Sequence, residues 1–140
     1  SDKEKIIILN KKISDEFIKL ILNDKQKNII KDKKIKDGIL RFQKLIDYPS
    51  NKLNTVIDAG KNDIKQGIII STTIFKEKVG VAVGVTKNLT KKYDAVDLVK
   101  VVSKILGGKG GGGRKDFAQA GGTNKQKIEE AFEAVSKKIN

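Results

Sequence analysis

Between Gly107 and Gly122 the chain reads GGKGGGGRKDFAQAGG, which puts eight of its 13 glycines into sixteen positions and sets Lys109, Arg114, Lys115 and Gln119 among them. Residues without a Cβ let a ligand or a second backbone come close. Beside them stand cations suited to phosphate and an amide that both donates and accepts hydrogen bonds. The chemistry this suggests is recognition of an anion. Gly110, Gly111 and Gly112 would offer main-chain N–H groups, Lys109, Arg114 and Lys115 would neutralise phosphates, and Gln119 would address a base or ribose. Arg114 is the most telling cation, because only it and Arg41 are arginine in this chain, and a planar guanidinium fork suits phosphate or a base edge. Catalysis is poorly supplied. The chain has no cysteine and no histidine, which removes thiolate nucleophiles, the usual zinc ligands and the commonest general base. The expectation is a piece that binds and does not itself catalyse.

Three readings of the glycine run compete. Glycines alone would suffice for a flexible linker, yet Phe117, Ala118, Gln119 and Ala120 are not linker residues, and both flanks carry helical periodicity. A nucleotide loop of the GxxxxGK[ST] kind is absent, and the run follows a helix pattern where such a loop follows a strand. The third reading is a nucleic-acid cradle, in which Asp116 serves the loop's structure and Phe117 anchors it to the core.

Charge favours the third. Thirty basic residues stand against 17 acidic ones, a net charge of +13, and such a field attracts polyanions. Lysine enrichment can also be a merely solvated surface, so the distribution decides more than the total. From Lys87 to Lys115 there are eight basic residues, Lys91 and Lys92 among them, and two acids, Asp94 and Asp97. With five phenylalanines and two tyrosines, stacking platforms are scarce, so recognition of a folded RNA by shape suits the composition better than binding of a plain single strand. No long uncharged apolar run and no signal-peptide pattern occurs, so the expectation is a cytoplasmic location without membrane contact. Methionine is absent and the chain opens on Ser1, which reads as a piece of a longer protein.

The elements that must position these residues follow from periodicity. Residues 1–37 read as a helical N-terminal segment, with Ile13, Phe17, Leu20 and Ile21 at helical spacing and Ile29 and Ile30 continuing it. Residues 38–140 read as the globular domain. Gly38–Ile46 is a strand closed by Pro49; Ser50 caps a helix carrying Leu53, Val56, Ile57 and Ile64. Gly67–Phe75 is rich in β-branched residues. From Val79 to Val85 valine alternates with Gly80, Ala82 and Gly84, giving a second strand with an almost side-chain-free face. Thr90 caps the next helix, whose first turn carries Lys91 and Lys92 and which stops at Gly107. After the run, Thr123 and Gln126 form a capping box for a last helix, with Gly121 and Gly122 just before its N-terminus. The fold class is α/β with a mixed sheet, ordered β-α-β-β-α-glycine loop-α behind the helical segment.

The GGkGGGrxDxAQxGG run between two amphipathic helices resembles the signature of the C-terminal domain of alanyl-tRNA synthetase, shared more loosely with the DHH-associated domain of certain phosphoesterases. Leu53, Val56, Ile57, Asp58 and Lys61 fit the family's Leu-x-x-Val-Ile/Val-Asp-x-x-Lys helix. The strand pair and helix between Gly67 and Lys100 fit as well. Compared with the family pattern there is one more glycine before Arg114, and Lys115 stands where proline is usual. The resemblance implies a tRNA-binding domain that holds the outer corner of alanine tRNA and links aminoacylation with editing. It implies no cofactor in this piece, with ATP, magnesium and zinc in upstream domains. It implies the other synthetase domains as partners and self-association through a preceding helical part. The alternatives are a nucleotide-binding accessory domain of a DHH-type phosphoesterase and a dimerisation module.

Overall fold

A computed structural model describes residues 29–139 of the chain. Six strands form one sheet in the order β1-β2-β3-β4-β6-β5. The strands are β1 (Ile29–Ile35), β2 (Gly38–Ile46), β3 (Gly67–Phe75), β4 (Lys78–Val85), β5 (Gly111–Gly113) and β6 (Phe117–Gly122). Three α-helices accompany them: α1 (Leu53–Ile64), α2 (Ala95–Ile105) and α3 (Ile128–Ile139). Among the described residues only β2 and β3 pair in parallel, joined by the crossover through α1, as a parallel connection requires.

The valine alternation in β4 sorts the layers. Val79, Val81, Val83 and Val85 pack with α2 and α3 in one cluster, where the Phe42 and Phe132 rings stack 4.7 Å apart. The opposite face, Gly80-Ala82-Gly84, receives α1 and the turn before it. A Cβ on Gly80 would sit 2.5 Å from Ser50 Cβ, and one on Gly84 would collide with Ile57 Cγ2. The side-chain-free face therefore exists to let a helix approach, and Ala82 joins Leu53, Val56 and Ile57 in that second cluster. The β3–β4 connection is a two-residue turn, with Lys76 and Glu77 both at positive φ (51° and 68°), the geometry that matches the twist of paired strands.

Several local expectations are corrected. Residues 29–35, expected to continue the N-terminal helical segment, form β1, paired antiparallel with β2 from Ile29↔Lys44 to Ile35↔Gly38. Tertiary packing overrides the local pattern here. Ile30 and Ile35 bury, and Asp32 grips the fully buried Arg41 through Nε at 2.7 Å and Nη2 at 2.9 Å. The boundary expected between residues 37 and 38 falls at the turn of this hairpin. The remaining residues of that segment, 1–28, lie outside the described residues. Asp94, not Thr90, caps α2: its carboxylate accepts from Val96 N–H at 2.9 Å. Ser50 makes no cap bond, since a 3₁₀ turn at Ser50–Lys52 precedes α1. Nor do Thr123 and Gln126 form a capping box. A 3₁₀ turn at Lys125–Lys127 leads into α3 without a side-chain cap, so Gly121 and Gly122 end a strand and do not abut a helix start.

Candidate nucleic-acid interface

The glycine run is a β-hairpin and not a loop. β5 pairs with β6 through Gly111↔Ala120, Gly112↔Gln119 and Gly113↔Ala118, while β6 pairs with β4 on its other side. The reason is packing: Ala118 is fully buried among the valines of the α2/α3 cluster, so β6 must join the sheet, and β5 completes its hydrogen bonding.

Register then divides the hairpin into two faces. Ala118 and Ala120 look toward α2 and α3, whereas Phe117, Gln119 and Gly121 lie opposite Gly84, Ala82 and Gly80 on the α1 face. Gly112, paired with Gln119, shares that face. Most of the glycines answer structural demands. Cβ atoms on Gly111 and Gly122 would sit 2.5 Å from Ala120 Cβ and Leu106 Cβ, and one on Gly108 would strike the Gly121 carbonyl. Gly107 has φ +81° just past α2, as a helix terminator does. Gly112 is different: a Cβ there meets nothing within 4 Å and its φ is not positive.

The hairpin tip is held from three sides. Arg114 N–H donates to the Phe117 carbonyl at 2.7 Å and closes the turn. The Lys115 carbonyl accepts from Ala95 N–H at the start of α2, and the Asp116 carbonyl accepts from Val85 N–H, each at 2.9 Å. From α1, Lys61 Nζ reaches the same Asp116 carbonyl at 2.9 Å. The Asp116 carboxylate accepts from Arg114 Nε at 3.1 Å, which, with the charge of Lys61, holds its pKa below the usual value against a smaller upward pull from burial. Arg114 is thereby oriented from its Nε side while its side chain stays largely exposed. Burial pulls Lys61 below the usual lysine range, opposed by the charges of Asp116 and Asp58.

Between α1 and this hairpin lies a hollow of about 400 Å³ lined by Arg114, Asp116 and Gln119 of the hairpin, by Asn54, Asp58 and Lys61 of α1 and by Asn51 in the turn before it. A second hollow, of about 410 Å³, continues along β6 past Gln119 and Asn51, over Gly80 and Gly121. The face carries cations, amides and open backbone together, an arrangement suited to a phosphate-bearing ligand with polar edges.

Arg114 and Gln119 are thus brought together, with Gly112 on their face. Gly111 turns to the other face, and Gly110 is engaged by Ser103, whose Oγ accepts its N–H at 3.3 Å. Lys109 is exposed beyond the opposite end of β5, and Lys115 is exposed at the tip with its carbonyl committed. Lys91 and Lys92 lie in the turn before α2 and not in its first turn. Lys92 pairs with Asp37 at 2.6 Å and lines a separate hollow with Lys36 and Lys138. Sequence reasoning did not place Lys61, Asn51 or Asn54 at the site. The available signal was the i, i+3 pair Asp58 and Lys61 on a helix whose apolar face was already assigned. Among the described residues no group of three or more acidic side chains is disposed to hold a metal, and no helix is long and apolar enough to cross a membrane.

A family model described as the DHHA1 domain matches residues 40–140. The chain is 48% identical over 84 residues to the alanine–tRNA ligase of Hyphomonas neptunium, covering 60% of this chain and 10% of that protein. To the alanine–tRNA ligase of Bradyrhizobium diazoefficiens it is 46% identical over 86 residues, covering 61% and 10%. It spans about a tenth of the length of these curated relatives. Among solved structures, the C-Ala domain from Aquifex aeolicus alanyl-tRNA synthetase superposes with a TM-score of 0.72 at 27% identity, over 78% of this chain and 97% of that one. A DHH-domain protein described as a member of the S1P family of ribosomal proteins shares the fold, with a TM-score of 0.54 at 18% identity, over 95% of this chain and 31% of that one.

Proposed function

The chain belongs to the DHHA1 domain family, in the form found as the C-terminal domain of alanyl-tRNA synthetase, and from that premise we propose that it binds tRNA. In this reading it holds the outer corner of alanine tRNA and helps connect aminoacylation with editing in a cytoplasmic alanine-tRNA ligase. ATP, magnesium and zinc would then belong to other domains of that ligase, which are also its partners.

The observation that carries the reading is the joint placement of Arg114, Gln119 and Lys61 around one hollow, on a sheet face that Gly112 leaves open without any demand from the fold. Arg114 and Lys61 supply charge for phosphate; Gln119 supplies an amide for a base or ribose. Lys109 and Lys115, exposed at the two ends of β5, extend the basic surface, and the net charge of +13 adds long-range attraction. Lys91 and Lys92 stand apart from this hollow and contribute only to that field.

A gel-shift titration of alanine tRNA against a second tRNA, with the intact chain and Arg114→Ala, tests the function. The expected result is a complex favouring alanine tRNA and weakened about tenfold or more in the variant, the size of one charge-assisted contact. Absence of any tRNA complex would remove the function, and an unweakened variant would remove Arg114 from it.

A further inference from the structure

We propose that the hollow beside Gly121 is a nucleobase site, taking one unstacked base of the bound RNA against a glycine floor, with the Asn51 and Gln119 amides at its edge and Phe75 as a wall. This rests on the RNA-binding reading and adds which part of the RNA is held, and where.

The first argument is the glycine itself. A Cβ at Gly121 would meet nothing nearer than the Val79 carbonyl at 3.5 Å, an ordinary contact, and its φ is not positive. Neither conformation nor packing asks for glycine, and glycine weakens a strand interior. What its missing side chain does is leave room. Gly121 is exposed, while its cross-strand partner on the α1 face, Gly80, is buried beneath Ser50. The open peptide at Gly121 is thus the floor of the hollow of about 410 Å³ that both glycines and Ser50 line.

The walls fit a base. Phe75, the last residue of β3, stands on one side with Lys76 Nζ 5.3 Å from its ring centroid. Asn51 stands at the entry to α1 and Gln119 two residues before Gly121, and both line this hollow as well as the one holding Arg114. Side-chain amides offer a donor and an acceptor together, the pairing that base edges present. Strand rise places Gly121 about 13 Å from Phe117 along β6. A base at the Gly121 end therefore leaves room for its neighbouring phosphate to lie toward Arg114. One slot with a peptide floor accommodates a base splayed out of a folded loop, the form in which RNA sequence is generally read.

The test measures affinity for alanine tRNA by fluorescence titration at fixed salt, with the intact chain, Gly121→Leu and Arg114→Ala. Filling the hollow with Gly121→Leu is expected to lower affinity about tenfold or more while leaving the salt dependence as in the intact chain, because no phosphate contact is lost. Intact-like affinity in Gly121→Leu beside a weakened Arg114→Ala overturns the base site and leaves the RNA-binding reading standing. Failure of the intact chain to bind overturns both. Asn51 is exposed, so Asn51→Ala gives an independent result should Gly121→Leu not fold: a several-fold loss supports the site, and unchanged affinity overturns it.

Discussion

Lys61 Nζ donates to the Asp116 carbonyl at 2.9 Å, and through this bond α1 holds the tip of the β5–β6 hairpin in place. Asp116 in turn orients Arg114, so a helix lysine and a hairpin arginine are coupled through one residue. Lys61→Met should cost about 1.5–3 kcal/mol, the range for a hydrogen bond to a charged group. Hydrogen exchange should show faster opening of residues 114–117. An unaltered exchange rate there would separate the lysine from the hairpin.

The same lysine gives an alkaline prediction. Burial lowers its pKa in the folded state, so between that lowered value and the ordinary one the unfolded chain binds more protons, and stability rises with pH. Below the folded value the cost of burying the charge is present in full. Urea titrations should therefore show the intact chain drawing further ahead of Lys61→Met as pH rises through this window. A gap that narrows would contradict the assignment.

Two neighbouring glycines should behave in opposite ways. Gly111→Ala would drive a Cβ to 2.5 Å from Ala120 Cβ, and overpacking of this kind costs about 1–3 kcal/mol. Gly112→Ala meets nothing and should leave stability unchanged or raise it by about 0.4–1 kcal/mol, by restricting the unfolded chain. Denaturant midpoints of the two variants read the difference directly.

The two arginines divide structure from site. Arg41 is buried, with Asp32 at 2.7 Å and Asp63 at 3.5 Å. Arg41→Met leaves those carboxylates without it, a change that costs about 3–5 kcal/mol. It should lower the melting temperature sharply, whereas Arg114→Ala should hardly move it.

Much of this was legible beforehand, and the exceptions share a cause. The ranges of β2, β3 and α1 follow from apolar spacing and from Pro49 and Gly67, and the valine and glycine faces of β4 announce their two layers. β1 was not legible, because its reason for being a strand is Arg41 and the open edge of β2, both distant in sequence from the Ile29 and Ile30 pattern. The hairpin hid within the glycine run because three successive glycines carry no alternation; only the burial of Ala118 beside Val83 makes β6 a strand. Lys61 was placed on its helix but not at the site, since nothing local says that the Asp116 carbonyl arrives beside it.

Acid should release a different part of the molecule. The Asp37 carboxylate is held below its usual value by the hydrogen bond from Lys92, then by that from Tyr93. A depressed carboxylate contributes stability that is present above its unfolded pKa of about 3.9 and lost as pH falls through the folded value. Asp37→Asn should therefore flatten the fall of melting temperature below about pH 4. An acid limb identical to that of the intact chain would show that the pair contributes nothing.

The central claim is that phosphates of a folded RNA meet Arg114 on the α1 face of the hairpin. Its most direct measurement is the salt dependence of tRNA affinity for the intact chain and Arg114→Ala. Each phosphate contact contributes about 0.7–0.9 to the slope of log affinity against log salt. The account predicts a steep slope for the intact chain that becomes shallower by about one contact in the variant. A flat slope in the intact chain, or an identical slope in both, would contradict it.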